Sequence, residues 1–99
     1  MSAIQIDRAH SLGLPAARQH ARLWAQKAEA KFGVQSRYEE GAERDMLRFS
    51  GNGIEGELLV TGAQLKLQMQ LGFMASMFKD QIEAKLRDQL DAIAGSTAA

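Results

Sequence analysis

Cysteine is absent from the chain, and with it go disulfides, thiolate metal sites and thiol catalysis. The lack fits a reducing compartment. Neither charge is in excess, with twelve basic and twelve acidic residues. Nucleic-acid binding needs a basic surplus to replace counterions on the phosphates, so no nucleic-acid partner is expected. No apolar run approaches the ~20 residues of a membrane span, so no transmembrane segment is expected. The opening residues, Met1 to Arg8, hold no apolar stretch of the kind that forms a signal sequence. The expectation from these absences is a cytoplasmic protein. Proline occurs once, at Pro15, and histidine only at His10 and His20.

What remains is the composition of an ordinary globular protein, 45% hydrophobic and 24% charged. Ninety-nine residues suit one domain with one modest core. Residues 1–99 are therefore read as a single domain, with an ordered core at about 3–94 and a flexible tail at 95–99. Charge is uneven along it. Residues 1–38 carry six basic and two acidic groups, and residues 39–57 carry two basic and six acidic. Both runs read as solvated surface.

Hydrophobic periodicity divides the chain. Ile4 and Ile6 alternate with Gln5 and Asp7, as in a half-buried strand. Pro15 suits the first turn of a helix. Leu14, Ala17, Ala21, Trp24, Ala28 and Phe32 then form one apolar stripe, and Gly33 stands where a left-handed residue would end it. Alternation resumes at Val34, Ser36 and Tyr38, and again at Leu47 and Phe49. Gly51-Asn52-Gly53 is a hairpin signal. Ile54, Leu58 and Val60 share a face, and Gly56 in that face suggests a bulge or a close helix crossing. Leu65, Leu67, Met69 and Leu71 alternate strictly with Lys66, Gln68 and Gln70, which predicts a strand with one wet face.

From Phe73 to about Ala94 the period is helical, with Ala75, Ile82, Leu86, Leu90 and Ile93 in one stripe and Phe78 on its margin. The expected order is β-α-β-β-β-β-α. It is an α+β fold: a curved antiparallel sheet with two amphipathic helices on one face. The second helix has an apolar surplus. At 100° per residue Phe73 and Met77 point away from its stripe, and Met74 lies between. Either the rest of the chain wraps these three, or they form an exposed patch of the kind that contacts partners or lipid. Phe73, Met74 and Met77 are thus the candidate interaction surface.

No chemistry-bearing constellation accompanies this pattern. Gly51-Asn52-Gly53 lacks the downstream residues of a phosphate loop, and no nucleophile elbow occurs. Neither histidine has a carboxylate at ligand spacing on a predicted helix. Glu39, Glu40, Glu43 and Asp45 form the densest acidic group, but not with the alternation of a calcium loop, and they read as a solvated turn. No catalytic residue, cofactor site or metal site is expected, and the chain is not expected to be an enzyme.

Three groups of residues carry a likeness. They are His10-Ser11-Leu12-Gly13-Leu14 with Ala17-Arg18, then Gly53-Ile54-Glu55-Gly56, then Leu71-Gly72-Phe73-Met74. In order and spacing the chain resembles the polyhydroxyalkanoic acid system proteins from Ile4 to about Ile93. The motifs are short and non-catalytic, so the specificity lies in the set. The resemblance implies a bacterial setting beside the synthesis of storage polyester and its granules, and implies no chemistry. Joined to the residues, it suggests an accessory module that contacts a granule surface or a granule protein. Two other readings stand beside it. One is a small lipophilic-ligand domain with room near Met69 and Gly56 for an acyl chain. The other is a homodimer that buries the helix patch.

Overall fold

The computed structural model describes residues 2–95. Eight elements follow in order: β1 (Ser2–Ala9), α1 (Leu14–Phe32), β2 (Gln35–Glu39), β3 (Arg44–Gly51), β4 (Ile54–Thr61), β5 (Gln64–Leu71), α2 (Phe73–Ser76) and α3 (Lys79–Ala94). The five strands form one antiparallel sheet in the order β1-β5-β4-β3-β2. Three hairpins build β2 to β5 as a meander. β1 then pairs along the free side of β5, so β1 and β2 are the two edges. The α+β fold expected from the periodicity is the fold observed.

Alternation decides which face is covered. Ile4, Leu47, Leu58, Leu67 and Met69 point to the same side and are buried. Gln5, Arg48, Glu57 and Gln68 point to the other, where they stand in one row across four strands. Both long helices lie on the apolar side. α1 rests on β2, β3 and β4, and α3 on β1 and β5. The alanines of α1 let it lie low on the sheet, and Ala17, Ala21, Ala25 and Ala28 are all buried. Trp24 meets Phe49 edge to face, with ring centroids 5.6 Å apart. Its indole N–H donates to Gln89 Oε1 at 2.6 Å, which ties α1 to α3.

The turns use the expected devices. Gly33 ends α1 at φ 67°. Asn52 and Gly53 both have positive φ, which matches the twist of a two-residue hairpin. Asn52 also donates from Nδ2 to the Phe32 carbonyl at 3.0 Å, so this hairpin caps the end of α1.

Two expectations need correction. The last helix is not continuous. Met77 and Phe78 interrupt it, with N–H bonds to Met74 and Ala75 that close tighter, three-residue turns. Phe78 leaves the helical region at φ −113°, ψ 20°, and its carbonyl starts α3 by accepting from Ile82 N–H at 2.9 Å. Gly56 marks neither a bulge nor a helix crossing. Its pairing with Phe49 and Met69 is regular. A Cβ there would stand 2.5 Å from the Gln68 carbonyl oxygen and 2.7 Å from the Phe49 ring, so glycine makes room for both. Of the tail read at 95–99, Gly95 closes α3 and residues 96–99 lie outside the described residues.

Candidate functional site

The surplus apolar residues of the second helical segment are exposed. Phe73 keeps 80% of its surface in solvent, Met74 71%, Met77 69% and Phe78 54%. None of the other described residues wraps them. The three candidate residues are thus brought together with a fourth, Phe78, which sequence periodicity places only at the margin of the buried stripe. The signal for Phe78 is the helix break itself, which no proline or glycine announces.

This corner is held firmly although its tips are free. Gly72 N–H donates to the Gly53 carbonyl at 2.7 Å, and Ser76 Oγ donates to the Leu71 carbonyl at 3.1 Å. Ala75 packs on the core. One side of α2 is therefore fastened to β5 and the β3–β4 hairpin, while the other presents two phenylalanines and two methionines. A cluster of that size on a surface is uncommon unless something covers it.

The acidic run behaves otherwise than a solvated turn. Glu39, Glu40 and Glu43 are exposed, but Asp45 is completely buried. Its carboxylate accepts from Arg18 Nε at 2.7 Å, Arg18 Nη2 at 2.9 Å, Tyr38 OH at 2.6 Å and Gly41 N–H at 3.0 Å. Burial pushes the Asp45 carboxyl up, but these hydrogen bonds and the Arg18 charge outweigh it and hold the group at about 2. Burial also raises the Tyr38 phenol well above its ordinary value, helped by its bond to Asp45. The Arg18 guanidinium is raised chiefly by the same carboxylate. Arg22 stacks over the Tyr38 ring, 4.4 Å from its centroid, and pairs with Glu40. Among the described residues, no buried side-chain polar atom of this knot lacks a partner. The knot fastens the β2–β3 turn to α1.

The histidines are placed as structural groups. His10 Nδ1 accepts from Leu12 N–H at 3.1 Å, leaving Nε2 to donate to the Thr61 carbonyl at 3.0 Å. His20 lines a groove between α1 and α3 with Leu23, Trp24 and Lys27. Among the described residues, no three His, Asp or Glu side chains gather as metal ligands. The room expected near Met69 and Gly56 is filled by Phe49, and Met69 is buried. On the uncovered sheet face lies a shallow trough of about 780 Å³ lined by Gln5, Arg37, Arg48, Glu57, Gln68 and Gln70. Polar side chains and apolar atoms share its lining. No helix among the described residues is long and apolar enough to cross a membrane.

Fold and site together define a two-layer α+β domain whose most distinctive surface is an apolar helical corner. A family profile described as "Putative polyhydroxyalkanoic acid system protein" matches residues 4–93. The chain belongs to that family, as the likeness in its sequence implied. No curated protein and no solved structure gives a significant match to it.

Proposed function

We propose that this chain is a non-enzymatic accessory protein of polyhydroxyalkanoate storage that docks, in the cytoplasm, on the apolar surface of the polyester granule. The observation that carries the reading is the exposure of Phe73, Met74, Met77 and Phe78 on one anchored corner. Family membership supplies the storage-polyester context. An apolar corner on a rigid two-layer domain would lie against such a surface as the apolar face of an interfacial helix does. Immobilising α2 requires no folding on contact, because hydrogen bonds from Gly72 and Ser76 already fix it.

The test is sedimentation of purified protein with polyhydroxybutyrate granules stripped of their native proteins. Wild type should sediment with the granules, and the Phe73→Ser/Met77→Ser variant should stay in solution. Equal sedimentation of both would sink the reading. Sedimentation only when a native granule coat is retained would move the contact from polyester to a granule protein. A concentration-dependent dimer, lost in the same variant, would show that a second copy covers the corner.

A further inference from the structure

We infer that Met74 and Met77 form an oxidation site through which peroxide-class oxidants switch off the apolar corner. The inference rests on the corner being a docking surface and goes beyond it by naming what ends the docking.

The selectivity comes from the fold. Met74 and Met77 are 71% and 69% exposed, whereas Met69 is 2% exposed beneath the helices. Met46 is half-buried on the uncovered sheet face. Thioether oxidation needs contact between the sulfur and the oxidant, so its rate follows exposure. Met74 and Met77 are also three positions apart across the helix break, with the Met77 N–H bonded to the Met74 carbonyl. Both lie between Phe73 and Phe78 in the same exposed segment.

The chemistry balances without a further reactant. The methionine sulfur donates an electron pair to one oxygen of hydrogen peroxide. An S–O bond forms and the O–O bond breaks. The second oxygen leaves as water after proton transfer. Sulfur is oxidised and peroxide is reduced. The product sulfoxide is polar and accepts hydrogen bonds, so it resists transfer onto an apolar surface. Both side chains lie outside the core, so their oxidation leaves the fold intact. Sulfoxide reductases return the thioether, which makes the change reversible.

The experiment treats the full chain with dilute hydrogen peroxide and follows three readouts. Peptide mass spectrometry should show oxygen added at Met74 and Met77 roughly tenfold or more faster than at Met69. Retention on a phenyl matrix should fall as those two positions oxidise, with circular dichroism unchanged. Sedimentation with polyhydroxybutyrate granules should fall in parallel. The Met74→Leu/Met77→Leu variant keeps the apolar volume without the sulfur, so peroxide should change neither its retention nor its sedimentation. Oxidation of Met69 as fast as Met74, or oxidised wild type with undiminished phenyl retention, would overturn the inference. Failure of untreated wild type to sediment, with the mass and phenyl results as expected, would instead overturn granule docking and leave the oxidation site standing.

Discussion

Arg18 on α1 grips Asp45 on β3 with two prongs, Nε to Oδ2 at 2.7 Å and Nη2 to Oδ1 at 2.9 Å. The carboxylate is fully buried and the guanidinium is partly in solvent. Such a fork fixes direction as well as distance. It sets where α1 crosses β3 and so helps fix the side of the sheet that carries the helices.

Replacing Asp45 by Asn should therefore destabilise the fold. The amide keeps the volume but loses the charge, and one of its donors would face the Arg18 fork. The loss should be roughly 2–3 kcal/mol, because a buried charged hydrogen-bond centre is broken and its partners are left unsatisfied. Urea unfolding followed by Trp24 fluorescence measures it. A loss below about 0.5 kcal/mol, the scale of surface substitutions, would show that the knot is incidental.

The same carboxylate predicts an acid limb. Its folded-state value, about 2, lies below the ordinary carboxylate range. Between the two values the unfolded chain binds more protons than the folded one. The Asp45 contribution is thus complete above about pH 4 and is lost as pH falls through about 2. It should amount to about 1–2 kcal/mol, at the low end because solvent reaches Arg18. Urea midpoints between pH 6 and pH 2 should show this slope in wild type and a smaller one in Asp45→Asn. Parallel slopes in the two proteins would assign the acid sensitivity elsewhere.

Gly56→Ala tests the packing that replaced the expected bulge. The new methyl would meet the Gln68 carbonyl oxygen at 2.5 Å and Phe49 ring carbons at 2.7 and 2.8 Å. Overpacking of that kind should cost about 1–3 kcal/mol. Phe49→Leu removes the ring, so the double variant should lose less than the sum of the single losses. Strict additivity would mean that the ring is not what requires glycine.

These positions mark where local pattern stops being informative. Leu65, Leu67, Met69 and Leu71 were legible as a strand because one wet and one buried face impose period two on neighbouring residues. The surplus of Phe73, Met74 and Met77 was legible because a helix has one core-facing stripe. Asp45 was not, since its burial depends on Arg18, twenty-seven positions earlier, and on Tyr38 of the neighbouring strand. The need for glycine at position 56 comes from Phe49 and the Gln68 carbonyl on the two adjacent strands, a matter of register. The break at Met77 and Phe78 depends on Ser76 and Gly72 being tied to other elements, and neither tie leaves a periodic trace.

Phe78 separates stability from docking. It occupies the N-cap position of α3, where no side chain caps the helix, and it is 54% exposed. A serine there adds an acceptor, but ψ 20° is not the extended conformation in which a side chain caps a helix, so the gain is small, about 0.5 kcal/mol or less. It also removes the partly buried ring, a loss of about 1 kcal/mol. The net is a loss of less than about 1 kcal/mol, so Phe78→Ser should shift the urea midpoint little. If phenylalanine is present for its surface, the same variant should sediment less with polyhydroxybutyrate granules than wild type. A large loss of stability with undiminished sedimentation would instead make Phe78 a packing residue and confine the docking surface to Phe73, Met74 and Met77.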